Sequence, residues 1–363
     1  MHISKRDTIS LSKAWSIRAI AILLALIVDG IIIYAIVKMN PLKVYVSLAS
    51  GAFGTSKRMW FTIRDCMILT CIAIGLAPAF KMRFWNVGAE GQMLVGGIAT
   101  AFWMINFAGK MNIVMLFLCM AISAIVAGGI WGLIPGVLKI TRGQNEMIIS
   151  IMLNYVATLF MGVLYTSWIR DENIPQTPAV SKLVQLPRVI SGMRFTWGFV
   201  LALVVGLVMY YVLFWTSGGF KLRAVGYNMT ASRFNGIPVK RYILTSFIIS
   251  GAIAGLGGGA ELLGTQFRLI NGFGAGYGFD GVAMALIGQL HPIATVIVAL
   301  FFAALRVGST TMQAATGVPT SVSDIIQALV IVFSVAGMAL TKLPEFESWK
   351  SRLFSRKRKA GDK

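Results

Sequence analysis

Runs of apolar residues dominate this chain, about ten of them, at 17–37, 66–80, 90–107, 112–138, 146–168, 197–215, 242–263, 279–290, 292–308 and 323–341. A helix needs roughly 20 predominantly apolar residues to cross a bilayer. Most of the runs reach that length. The second and eighth are short, as expected of tilted or broken helices covered by protein rather than lipid. Only 13% of residues are charged, 57% are hydrophobic and the mean hydropathy is +0.77, whereas soluble domains carry about 25% charge. The sequence therefore predicts an all-α polytopic membrane protein with about ten transmembrane helices, forming one transmembrane domain over 1–363.

A net charge of +20 could suit nucleic acid, but a nucleic-acid binder is not built mainly of apolar helices, so that class is excluded. The charge follows the positive-inside rule instead. With ten spans and an inside amino terminus, the inner segments hold most of the 33 Lys and Arg. This puts 1–16, the loop 220–241 and the basic tail 343–363 in the cytoplasm, the tail against anionic headgroups of membrane lipid. The first apolar run is too long for a signal peptide and lacks a small-x-small exit, so it is expected to stay as the first span. Polar segments at 38–65, 169–196 and 220–241 are expected outside the bilayer. Cys66, Cys71 and Cys119 are odd in number and lack metal-ligand spacing, so they are expected as small buried hydrophobes.

The chain contains an internal echo. "GAEG" at 88–91 and "GFDG" at 278–281 each open an apolar run with a further glycine downstream. Composition alone predicts about 0.14 occurrences of Gly-x-Asp/Glu-Gly in such a chain, and it occurs twice. The polar starts of "NEMIISIMLNY" and "SDIIQALVIVF" repeat the correspondence further on. The matches fall on spans 3 and 8 and on spans 5 and 10. An odd offset of five spans makes spans 2–5 and 7–10 inverted copies, as in many transporters. Asn86 is placed to cap the helix that follows, and Glu90 and Asp280 lie where the positive end of a helix dipole steadies a carboxylate. Such intramembrane acids either brace helix starts or line a pathway. Asp29 can face a neighbouring helix, and His291 sits in the turn between spans 8 and 9 as an interfacial side chain.

In 220–241 a short helix is expected at 230–234, broken by Gly236 and Pro238. The runs "ASRFNGIPVKRYILTSFIISGAIAGLGG", "WNVGAEGQMLVGG" and "GYGFDGVAMALIGQLHPIAT" resemble the permease subunits of bacterial ABC importers in the branched-chain amino acid, ribose and simple-sugar group. Within it they are similar to nucleoside-importer permeases of Gram-positive bacteria. The family pattern Ala-x-Arg-x-x-Gly-Ile falls on Ala231, Arg233, Gly236 and Ile237, which the resemblance implies couple the permease to its ATPase. It also implies a second, related permease in a heterodimer, a cytoplasmic ABC ATPase and an extracellular substrate-binding lipoprotein, in a bacterial cell membrane. The sequence has no Gly-x-x-x-x-Gly-Lys-Ser/Thr, so ATP and Mg are expected in the partner, and the chain itself is expected to be neither an enzyme nor a cofactor carrier.

A nucleoside is an uncharged, hydroxyl-rich ribose joined to a flat base, so its path calls for amides and aromatics. Trp85, Asn86, Glu90, Gln92, Asn154 and Asp280 are the candidate pathway residues. Two alternatives remain open: an ion-coupled carrier using Glu90 and Asp280, and an ABC permease for ribose or another sugar. A membrane enzyme is disfavoured, because no cluster of His, Asp and Cys is present to carry chemistry.

Overall fold

Lipid reverses the usual sorting of side chains: bulky apolar residues can face outward, while small and polar ones let helices approach each other inside. The computed structural model, which describes residues 11–171, 174–187 and 196–340, follows that rule. Its helices are α1 (Leu11–Ile32), α2 (Pro41–Phe53), α3 (Ser56–Lys81), α4 (Ala89–Phe107), α5 (Ile113–Arg142), α6 (Glu146–Val163), α7 (Gly198–Trp215), α8 (Ser217–Tyr227), α9 (Met229–Phe234), α10 (Val239–Glu261), α11 (Tyr277–Ile287), α12 (Pro292–Thr316) and α13 (Ser321–Leu340). Along α6, Ser150, Asn154 and Ala157 are buried, whereas Ile148, Met152, Tyr155, Leu159 and Val163 are exposed. Along α5, Ala124, Gly128 and Gly132 face inward, and Leu118, Ile122, Val126 and Ile130 face outward.

Among the described residues, seven helical segments are long and apolar enough to cross a membrane: Ile20–Val37, Ser56–Lys81, Ile113–Arg142, Glu146–Ser167, Gly198–Trp215, Val239–Gln266 and Pro292–Thr316. Tyr277–Ile287 and Ser321–Gly337 are shorter apolar helices. Glu90, Gln92 and the glycines of α4 keep it out of the first group, and α4 packs against α5, α6, α10 and α11 instead.

Two expectations need correction. The segment 38–65, expected outside the bilayer, holds all of α2 and the first turns of α3, and from residue 56 on it belongs to a helix long and apolar enough to cross a membrane. The second span is not short either, since α3 runs 26 residues. Arg64 and Asp65 interrupt its apolar run, but Arg64 donates to Asp65 at 2.8 Å, and the helix continues through the paired charges. The expected amino-terminal stretch 1–16 lies largely, and the tail 343–363 wholly, outside the described residues.

The chain divides into two compact units, Met1–Gly51 with Gly308–Lys363, and Ala52–Val307. In the first, α1 packs on α13. There the Tyr45 hydroxyl donates to Asp29 at 2.9 Å and to the Leu26 carbonyl at 2.7 Å, so Asp29 ties α2 to α1. In the second unit, α10 is the central helix, against α3, α4 and α5. Its contact with α5 is backbone on backbone, because Gly128 and Gly251 each present a bare Cα to the other's carbonyl oxygen.

The connection after α6 is tethered rather than loose. Val180 N–H donates to the Phe267 carbonyl at 2.8 Å, and Thr177 exchanges bonds with Leu269 at 3.1 and 2.9 Å. Cys66 and Cys71 are buried and Cys119 is half-buried, all three as free thiols.

Candidate functional site

The α3–α4 connection turns back into the protein because Arg83 takes a left-handed conformation (φ 63°) and Asn86 points inward. Asn86, fully buried, donates to Ser250 Oγ at 2.7 Å and to Gln92 at 3.2 Å. Its oxygen accepts from Gly88 N–H at 3.1 Å and from Gln92 Nε2 at 3.0 Å. Asn154 closes the other side, accepting from Gly91 N–H at 2.9 Å and donating to the Val87 carbonyl at 3.0 Å. The first turn of α4 is thus held by three side-chain amides that spend their polar atoms on the protein itself. Asn86 acts two residues before the helix N-cap, Gly88. Trp85 packs on Phe80 with ring centroids 5.2 Å apart.

Glu90 meets the second motif directly. A side chain at Gly278 would place its Cβ 2.6 Å from Glu90 Cβ, so the opening turns of α4 and α11 abut, with GAEG against GFDG. The Glu90 carboxylate faces the backbone N–H groups of Gly276 and Gly278, while its Oε2 is buried without a hydrogen-bond partner. Four turns of α12 later, Arg306 reaches across to Asp280 at 3.3 Å, donates to the Ala275 carbonyl at 3.3 Å and stacks over Tyr277 at 4.1 Å.

Sequence reasoning missed Arg306 and Glu261. Glu261, at the end of α10, is wholly buried and neither carboxylate oxygen has a hydrogen-bond partner. Asp65, Arg64 and Tyr277 are its electrostatic neighbours. Both residues lie inside predicted apolar runs, so the rule that singled out Glu90 and Asp280 would have found them.

Removing Arg306 takes from Asp280 its positive partner. Arg306→Gln is expected to destabilise the chain by about 2–3 kcal/mol, read as a lower unfolding temperature in detergent. Adding Asp280→Asn should restore most of the loss, because the acid that needed the arginine is gone.

The second candidate region is the turn after α8. Asn228 caps α9 by accepting from Ala231 N–H at 2.9 Å, Asn235 donates to the Ala231 carbonyl at 2.8 Å, and Ile237 N–H donates to the Ser232 carbonyl at 3.0 Å. Gly236 closes the turn at φ 75°. Ile237 packs against the buried cluster that includes Phe84, Val239 and Phe247, which anchors the turn. Ala231 and Arg233 are exposed, and Phe234 is 88% exposed. Sequence reasoning placed this helix correctly but did not single out Phe234.

Long apolar helices with a glycine- and amide-lined interior and bulky apolar residues outside define a multi-pass helical membrane protein. The profile of the family described as "Branched-chain amino acid transport system / permease component" matches residues 58–335, and the chain belongs to that family of ABC transporter permeases. Among its relatives is the guanosine ABC transporter permease protein NupP of Bacillus subtilis, 33% identical over 88% of this chain and 93% of the relative. The glucose ABC transporter permease protein TsgB13 of Haloferax volcanii is 31% identical over 92% and 90%. The nucleoside ABC transporter permease protein NupB of Lactococcus lactis is 28% identical over 94% and 98%. Bacillus subtilis and Lactococcus lactis each supply a second, more distant permease, NupQ and NupC, at 26% and 25% identity.

Proposed function

We propose that this chain is the translocating subunit of an ATP-driven nucleoside importer in a bacterial cell membrane. It works beside a second, related permease, a cytoplasmic ABC ATPase that holds ATP and Mg, and an extracellular substrate-binding lipoprotein. The observation that carries the reading is the 220–241 segment: a capped helical turn, anchored through Ile237 and presenting Arg233 and Phe234 to solvent, is built to receive a push from another protein. An ion-coupled carrier has no use for it. The guanosine and nucleoside permeases among the relatives support the substrate class, and two permeases from each of their organisms support a heterodimer. The glucose permease makes a sugar the second reading.

The proposed topology is ten spans within a single transmembrane domain, with α4, α11 and α13 completing the seven long segments and both termini cytoplasmic. α3–α6 and α10–α13 form the inverted repeat, and the abutting first turns of α4 and α11 support it. Alternating access then moves the halves about this junction. Asn86, Gln92 and Asn154 brace it, Trp85 packs beside it, and Asp280 is held by Arg306. Glu90 is the candidate pathway residue, because it alone of the set keeps an unpartnered oxygen.

Uptake of labelled guanosine by proteoliposomes holding the whole complex should require ATP and the binding protein, with no accumulation of glucose. Uptake by this chain alone on an ion gradient would overturn the reading. Glu90→Gln should raise the half-saturating guanosine concentration about tenfold, the worth of one charge-assisted hydrogen bond. An unchanged value would leave Glu90 as a brace.

A further inference from the structure

On the side of the Ala52–Val307 unit that carries 220–241, four elements end around one aromatic ring. Lys81, the last residue of α3, places Nζ 5.0 Å from the centroid of Phe214 in α7. Arg223 of α8 places its guanidinium carbon 5.3 Å from the same centroid. His291, between α11 and α12, lies 5.4 Å from Phe214 and 5.6 Å from Tyr210.

Three basic groups from separate elements thus share one site, yet none of them belongs to the ion pairs of the described residues, which are Arg64–Asp65, Lys139–Glu146, Asp171–Arg268 and Asp280–Arg306. Among the described residues the Lys81 ammonium has its ring contact and no hydrogen bond, and the side-chain hydrogen bond of Arg223 is a long 3.4 Å contact to the Gly219 carbonyl. Burial and the neighbouring Lys81 charge push the His291 imidazole below its usual range, so at pH 7 it is neutral and offers one N–H. Two like charges held together beside a neutral donor, with no acid paired to them among the described residues, form a site of positive potential that an anion would relieve.

The surroundings say which anion. Ile74, Leu213 and Leu222 form a buried apolar floor, with Leu290 and Phe214 packed half-buried against it. The cations therefore sit at the rim of an apolar surface where spanning helices end, which is the height of lipid headgroups. The turns that carry them are held in unusual shape: Arg83, Gln289 and Leu290 adopt left-handed conformations without being glycine (φ 63°, 54° and 56°). A free phosphate would satisfy the charges but leave the half-buried faces of Phe214 and Leu290 uncovered.

We propose that Lys81, Arg223 and His291 bind the phosphodiester of an anionic phospholipid, whose glycerol and upper acyl chain lie along Phe214 and Leu290. The lipid then ties the end of α3 to α8, the helix leading into the exposed turn at Arg233 and Phe234.

The test uses the full chain, purified and delipidated in a neutral detergent, with lipid binding followed by native mass spectrometry and by unfolding temperature. Phosphatidylglycerol should bind and raise the unfolding temperature, and phosphatidylcholine and inorganic phosphate should not. Lys81→Gln with Arg223→Gln should weaken phosphatidylglycerol binding about thirtyfold. Lys81→Arg with Arg223→Lys should keep it. Arg142→Gln with Lys240→Gln, which removes the same charge from exposed positions, should also keep it. Equal loss in this control, or equal response to the two lipids, would overturn the proposal. An equal response to inorganic phosphate would overturn the lipid assignment in favour of a free anion. Should the double Gln variant fail to fold, Arg223→Gln alone decides, with an unchanged affinity counting against the site.

Discussion

Replacing Gly251 by alanine is expected to cost about 3 kcal/mol and to leave little folded chain in the membrane. On an isolated helix the same change would stabilise, because alanine exceeds glycine by about 1 kcal/mol in helix propensity. Packing reverses the sign. A Cβ at Gly251 would sit on the Gly128 carbonyl oxygen, one at Gly128 would sit on the Gly251 carbonyl, and one at Gly255 would meet the Ala124 carbonyl. The atoms it meets are backbone, so no rotamer change can make room, and α5 and α10 must separate along the whole seam. α10 also packs on α3 and α4, so separation spreads to the brace of Asn86 with Ser250. Gly162→Ala on α6 is the internal control, since a Cβ there meets only the Tyr165 hydroxyl at 4.0 Å. Its unfolding temperature should hold or rise slightly, while that of Gly251→Ala falls. Equal effects at the two positions would mean that the close crossing of α5 and α10 does not hold the bundle together.

Hydropathy made the long helices legible because lipid-facing residues must be apolar whatever packs behind them. The run expected at 90–107 became α4 at Ala89–Phe107, and that at 197–215 became α7 at Gly198–Trp215. Hydropathy failed where charge is paired inside a helix: Arg64 and Asp65 hid the first turns of α3. It failed again for α2, whose mixed composition carries no span-length signal. The glycines at 128, 132, 251 and 255 were not singled out in the sequence, and nothing there says that they face each other. The polar residues divided the same way. Asn86, Gln92 and Asn154 could be picked out as unusual in an apolar chain. That they bond to each other, to Ser250 and to the backbone depends on a turn folded by Arg83, which no spacing reveals.

The largest functional effect is expected from Arg233→Glu combined with Phe234→Ala: guanosine uptake by the assembled complex should fall about a hundredfold, as when paired hot-spot residues leave an interface. Neither change should disturb the fold, since both side chains point to solvent and the bonds that shape the turn come from Asn228, Asn235 and the backbone around Gly236. The unfolding temperature and the yield of the chain should therefore match the parent, and basal ATP hydrolysis should persist without stimulation by the loaded binding protein. Asn228→Ala separates shape from surface. Losing that cap costs about 1 kcal/mol and leaves Arg233 and Phe234 in place, so uptake should be reduced but not abolished. If the surface variant transported normally, the exposed turn would be an ordinary loop, and the push from ATP hydrolysis would have to arrive through some other part of the chain.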